Sequence, residues 1–288
     1  MIGQMIVNGL ITGSIFVMMA IGFSIMYNAM RFFNLAHGAI FLSGAYCSFI
    51  MHNTFGVGLI GALLLGTVVA AVIHIAVAKV VYFPMRLRGA GHWIVAIASM
   101  GIAFIFEAVV GLFIGTRPLS MQKNYLPSMF QFQGIYISSV EIAIVLTSFI
   151  VIGLLALFLN RAKFGKAMRA TVCDRDMAQV LGINASSIDL LVYSIGTFMA
   201  AGAGALMSLQ VQLTHTMGHS ALFKSIVVSI LGISGGFVGT LMGGLFLGFV
   251  ENCVVYFLNI GWRDGISLLI LIVYILLTQI KKREREIC

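Results

Sequence analysis

From Met5 to Ile280 the chain is a succession of apolar runs separated by polar breaks, most of them short, the longest being Thr116 to Ser139 and Arg161 to Asn184. A helix crosses the hydrocarbon of a bilayer with about 20 consecutive apolar residues, because only a helix satisfies its backbone hydrogen bonds there from within one segment. The runs cover about Met5 to Met30, a second reaching His52, Val57 to Phe83, Trp93 to Gly115, Val140 to Leu159, Ile188 to Leu209, Leu222 to Ile233, Phe237 to Leu258 and Gly265 to Ile280. With 60% hydrophobic and 9% charged residues, the chain lies outside soluble composition. The reading is an all-α integral membrane protein, one domain over residues 1–288, with eight or nine transmembrane helices. Nothing charged precedes Arg31, so the first run reads as a retained span rather than a cleavable signal.

Orientation follows from where the cations collect, since short cytoplasmic loops carry the excess of lysine and arginine. They gather at Arg31, at Arg86 and Arg88, at Arg161, Lys163, Lys166, Arg169 and Arg175, and at Lys281, Lys282, Arg283 and Arg285. All four groups face the cytoplasm if the N-terminus is outside and Leu222 to Ile233 crosses or dips deeply. Nine spans then result, with the C-terminus inside; eight would misplace the tail. Arg117 and Lys123 run against the trend. The net charge of +8 is a set of topology signals in this pattern, and no nucleic-acid role follows.

Motifs of chemistry are sparse. Gly165-Lys166 is followed by Ala167 and lacks the first glycine of a phosphate-binding loop, so this chain binds no ATP by that route. Cys47, Cys173, Cys253 and Cys288 have no paired spacing, and no metal-binding helix motif occurs. His215 and His219 are four apart but read as a polar loop without a nearby carboxylate. Gly232-Ile233-Ser234-Gly235 only brushes a nucleophile motif. Glu107 and Glu251 stand inside apolar runs, where a charge is expensive and faces a bundle interior or water; Glu141 is close enough to a helix end to be an interface residue. Asn34 and His37, in Asn34-Leu35-Ala36-His37-Gly38, either cap the second helix or line a transport path. The glycines that cluster from Gly196 to Gly248 permit close helix contact or pore-lining backbone.

The one long basic interruption, Arg161 to Asn184, carries its own helix grammar. Asp174 suits an N-cap, Asp176 favours the positive helix end, and Gly182 suits a left-handed stop. The result is a short helix offering Met177, Ala178, Val180 and Leu181 as an apolar surface, flanked by Arg169 and Arg175. Such a helix lies on anionic lipid or inserts into a groove on a soluble partner.

Four strings, taken together and in order, resemble a known family: NGLITGSIFVMMAIGFSIMY, FFNLAHGAIFLSGAY, FGKAMRATVCDRDMAQVLGIN followed by IGTFMAAGAGALMSL, and ILGISGGFVGTLMGGLFLGFVEN. The family is the permease subunits of branched-chain amino-acid ABC importers. The resemblance implies a bacterial inner-membrane permease that pairs with a second homologous permease. Two cytoplasmic ATPases, which hold the ATP and Mg, would bind it, and a periplasmic or surface solute-binding protein would deliver substrate. It makes residues 161–187 the coupling segment, with Asp174 to Gly182 the coupling helix and Arg169, Asp174, Met177, Ala178, Leu181 and Gly182 the residues that meet the ATPase; Asn34, His37, Glu107 and Glu251, by their polar character in or beside apolar runs, stand as candidates for the path. Leu231-Gly232-Ile233-Ser234-Gly235 and Phe237 depart from the family's usual pattern, and related permeases carry urea or short amides. A stand-alone channel or ion-coupled carrier using Glu107 and Glu251 is the rival class.

Overall fold

The structure is a computed structural model that describes residues 2–121, 128–132, 134–232 and 236–287, with backbone alone for residues 2, 132, 260 and 278–287. Lys123, Ile233, Ser234, Gly235 and Cys288 therefore lie outside the described residues, as do the side chains of Lys281, Lys282, Arg283 and Arg285.

Among the described residues each of the nine apolar runs falls mainly in a helix, and the helices are α1 (Ile2–Met30), α2 (His37–Asn53), α3 (Leu59–Val77), α4 (Phe83–Leu87), α5 (His92–Phe113), α6 (Ser139–Arg161), α7 (Lys163–Cys173), α8 (Arg175–Val180), α9 (Ala185–Met207), α10 (Met217–Gly232), α11 (Gly236–Phe257) and α12 (Arg263–Ile287). A π-helical turn over Ala78–Tyr82 joins α3 to α4. Six stretches among the described residues are long and apolar enough to cross a membrane: Gly3–Met30, Leu59–Leu87, His92–Phe113, Ser139–Arg161, Ala185–Met207 and Gly236–Phe257. The basic stretch after α6, read above as a polar interruption with one short helix, is helical from Lys163 as well. Arg169 Nη1 donates to the Leu159 carbonyl at 2.5 Å and so folds α7 back on the open end of α6.

The polar segment before α6 contains a hairpin of β1 (Met129–Phe132) and β2 (Ile135–Ser138), with Phe130 opposite Ile137. The Gln4 side chain extends this ladder: its amide donates to the Tyr136 carbonyl and its carbonyl accepts from the Tyr136 N–H, both at 2.9 Å. At the hairpin's exit Ser138 and Glu141 form a reciprocal cap on α6, which gives Glu141 a structural role. Ser138→Ala removes one arm of that box, at a cost of about 1 kcal/mol. A lowered thermal midpoint in detergent, with transport unchanged, is the expected result.

Small residues set the helix contacts. Gly22 on α1 meets Gly196 and Met199 on α9, and Gly202 meets Met18, so α1 and α9 cross antiparallel. Gly9 meets Phe249 and Gly13 meets Gly244 and Leu245, which sets α11 antiparallel to α1 as well. Without a hydrophobic drive between helices in lipid, such close backbone approach is the main attraction available.

The two halves of the chain repeat one another with inverted sense. In the first half, α1 ends at Met30, the next residue, Arg31, turns the chain with φ of 56°, and an extended stretch climbs back along α1 before α2 begins. Phe33 packs on Phe23 and Tyr27, and His37 reaches the middle of α1, donating from Nε2 to the Met19 carbonyl at 3.1 Å. In the second half, α9 ends at Met207, the chain turns back through Leu213, and α10 begins beside the middle of α1, with Lys224 over Phe16 and Ser229 bonded to the Ala20 carbonyl. Both helices open with the same turn, His37 N–H to the Asn34 carbonyl and Met217 N–H to the Thr214 carbonyl, each 3.1 Å. Following them, α3 and α11, then α5 and α12, occupy matching places in the order. Ser43 bonded to His74 and Gly66 packed on Ser48 set α2 antiparallel to α3, and Arg86 bonded to Asp189 with Thr67 beside Gly202 sets the α3–α4 rod antiparallel to α9. Relative to α1, then, α2 runs one way from mid-depth and α10 the other.

Candidate functional site

The two helices that begin beside the middle of α1, α2 and α10, meet at their first turns. Gly38 faces Gly218 and Leu222, while Gly218 faces Gly38 and Leu42, an antiparallel overlap that only glycine at both positions permits. Interrupted backbone at membrane depth is tolerated only where it is buried in protein or lines a cavity, so its amides need partners. The Leu35 N–H donates to Ser99 Oγ of α5 at 2.9 Å, and Leu213 exchanges both backbone bonds with Leu119, at 2.7 and 3.0 Å. Of the two readings of Asn34, a cap on α2 or a place on the path, the cap is not formed. The N-cap is Ala36, without a side-chain bond, and Asn34 Oδ1 instead accepts from the Ala36 N–H at 3.2 Å, which shapes the turn before the helix. Asn34 and His37 are both buried.

Beside this junction Glu107 of α5 and His219 of α10 pair at 2.5 Å, lining with Gly38, Gly218 and Leu222 a gap of about 10 Å³. The sequence reading of His219 as a loop residue without a carboxylate partner is thereby corrected: His219 is in the first turn of α10, and the fold brings Glu107 across from α5. No group of three or more metal-ligating side chains occurs among the described residues.

Glu251 is elsewhere, on α11, and fully buried. It accepts from Arg263 Nε at 2.6 Å, Ser267 Oγ at 2.7 Å and Lys224 Nζ at 3.2 Å, and Lys224 also pairs with Asp264 at 3.0 Å. Two cations thus offset two anions where α10, α11 and α12 come together.

The third constellation surrounds α8. Asp174 caps it by accepting from the Met177 N–H at 2.9 Å, and Gly182 ends it with φ of 83°. Met177, Val180 and Leu181 are exposed, whereas Ala178 is buried against the body, which corrects the expectation that all four share one outer face. The residue after the cap, Arg175, holds the buried carboxylate of Asp189 with both guanidinium nitrogens, at 2.7 and 3.2 Å. Arg86 of α4 takes the same carboxylate at 2.9 Å. This hydrogen bonding holds the Arg175 guanidinium above its ordinary range. Arg31 closes the group by donating to the Val172 carbonyl at 3.4 Å. Asp189 was missed in the sequence because it stands at the polar start of a span, where a carboxylate ordinarily meets water.

A family model described as branched-chain amino acid transport system / permease component matches residues 5–275. The chain belongs to this family. The permease is 29% identical to the high-affinity branched-chain amino acid transport system permease protein BraD of Pseudomonas aeruginosa, over 95% of this chain and 92% of that protein. It is also 29% identical to the permease protein LivH of Escherichia coli K12, with the same two coverages. Among solved structures it shares its fold with a chain of PsaBC from Streptococcus pneumoniae in complex with Fab, at a TM-score of 0.52 and 12% identity, covering 92% of the permease and 89% of that chain. Membership makes it a multi-pass membrane permease component.

Proposed function

We propose that this permease moves branched-chain or other hydrophobic amino acids into the cytoplasm by alternating access. Its relatives BraD and LivH bear that substrate class in their names. Two partner ATPases, carrying the ATP and Mg, supply the free energy; a second homologous permease completes the membrane core, and a periplasmic or surface solute-binding protein delivers substrate. The N-terminus is outside and the C-terminus cytoplasmic, α1, α2, α3–α4, α5, α6, α9, α10, α11 and α12 all lie in the bacterial inner membrane, and α8 is the coupling helix.

The observation that carries this reading is the construction of α8. A six-residue helix cannot hold itself together, since a costly nucleus is spread over too few bonds. This one is capped at both ends and clamped by Arg175 to Asp189 on α9, yet turns Met177, Val180 and Leu181 outward. A rigid short helix with an outward apolar face fits a groove on a soluble partner. ATP binding that moves α8 pulls α9 through the clamp, and α9 crosses α1 beside the junction of α2 and α10. Arg169, folded on the end of α6, holds α7 in line with that movement.

Leu181→Asp combined with Gly182→Asp places charge on the docking face and puts a side chain on the left-handed backbone at 182, at about 1 kcal/mol of strain. The expected result is normal membrane insertion with loss of ATPase co-purification and of ATP-driven leucine uptake. Uptake at the wild-type rate in that variant overturns the coupling role, and leucine uptake by this chain alone in liposomes overturns the importer reading.

A further inference from the structure

We infer a binding site for a zwitterionic α-amino acid with an apolar side chain, in the cavity between α1, α10 and the start of α12; the inference rests on the amino-acid transport reading. The cavity is about 580 Å³, ample for such a molecule, and His219 at one edge also lines the gap at the helix junction. Its polar wall holds Lys224 and Asp264, joined at 3.0 Å. Phe16, Phe41, Met207 and Phe223 supply its apolar lining.

The two partners of that ion pair differ in a way that suits exchange. Lys224 has 7% of its side chain exposed and is held from behind by Glu251 and by the Phe16 ring, 5.1 Å from Nζ. Glu251 is in turn fixed by Arg263 and Ser267. Asp264 is 60% exposed, so it can turn away at small cost. An amino acid entering the cavity offers a carboxylate to replace Asp264 at Lys224, and an ammonium to engage the Asp264 carboxylate so released. No net charge enters the site, no ion is stranded at membrane depth, and the aliphatic side chain meets the aromatic and methionine wall. A lone anion or a lone cation satisfies only half of the exchange.

The test uses the purified permease with its ATPases and solute-binding protein in proteoliposomes, together with equilibrium binding of radiolabelled leucine to the permease–ATPase complex alone. Leucine, 4-methylpentanoate (no ammonium) and 3-methylbutylamine (no carboxylate) are compared as competitors. The wild type is expected to prefer leucine over either analogue by about tenfold or more, the worth of one charge-assisted hydrogen bond. Asp264→Asn, at an exposed position that leaves folding intact, is expected to erase the preference over 4-methylpentanoate; Lys224→Met is expected to erase the preference over the amine. Wild-type preference in Asp264→Asn, with leucine transport intact, overturns the site and leaves the transport reading standing. A wild-type complex that transports no amino acid overturns the transport reading and the site with it.

Discussion

Asp189→Leu is expected to uncouple the permease, leaving ATP hydrolysis by its partners running while leucine uptake falls to background. The carboxylate is 5% exposed and is the only group that joins α8, α9 and α4 through side chains among the described contacts. Removing it strands Arg86, itself mostly buried, and leaves two guanidinium groups facing one another. Breaking a buried pair costs about 3–5 kcal/mol. The Arg175 arm, 37% exposed, contributes little of that because water and salt screen it, so a total of about 3 kcal/mol is the working figure. Asp189→Asn keeps the shape but not the charge and is expected to fall between. The decisive comparison is the triple change Arg86→Met, Arg175→Met and Asp189→Leu. An apolar replacement of the whole cluster restores stability, since the stranded charges are gone. If the clamp is a lever, this variant melts near the wild-type temperature and still transports almost nothing per ATP hydrolysed. If it transports normally, the cluster is structural only.

Why Asp189 escaped the sequence, while α8 did not, is a matter of range. The N-cap at Asp174 and the left-handed stop at Gly182 are local: each acts on backbone within one turn, and the sequence states both. The helical runs are equally local, because the bilayer imposes one length and one composition on every span. Contacts between distant elements leave no such mark. Glu107 and His219 are far apart in the chain and meet only because α5 and α10 pack against the same junction; Arg86 and Asp189 meet only because α4 and α9 are antiparallel neighbours. The inverted repeat was half legible. His37-Gly38-Ala39-Ile40-Phe41 and His219-Ser220-Ala221-Leu222-Phe223 are similar strings, but the matching turns start at Asn34 and Thr214, so the strings are out of register with the helices they mark. Glu251 was recognised as costly at its position, while its satisfaction by Lys224, Arg263 and Ser267 depends on α10 and α12 both closing on α11.

Gly38→Ala and Gly218→Ala are each expected to destabilise the permease by forcing its two facing helices apart. A Cβ at Gly38 collides with the Gly218 backbone and comes 3.0 Å from Leu222 Cβ; a Cβ at Gly218 meets the Gly38 carbonyl oxygen at 2.7 Å. Backbone cannot turn aside as a side chain can, so the helices must separate, and overpacking of this kind costs about 1–3 kcal/mol. Gly101 in α5 is the control, with open space where its Cβ would be. Gly101→Ala is expected to be neutral or stabilising by about 0.5–1 kcal/mol, since alanine loses less backbone entropy in a helix. The double variant Gly38→Ala/Gly218→Ala sharpens the point. Because both methyls occupy one interface, the separation forced by the first accommodates much of the second, and their costs are expected to be less than additive. Thermal unfolding of the four proteins in detergent measures this directly. Transport then follows the geometry rather than the stability. Separation at the junction draws His219 from Glu107, and uptake should fall alike in both single variants and in the double, while Gly101→Ala keeps the wild-type rate. Full uptake in Gly38→Ala would place the path elsewhere in the permease.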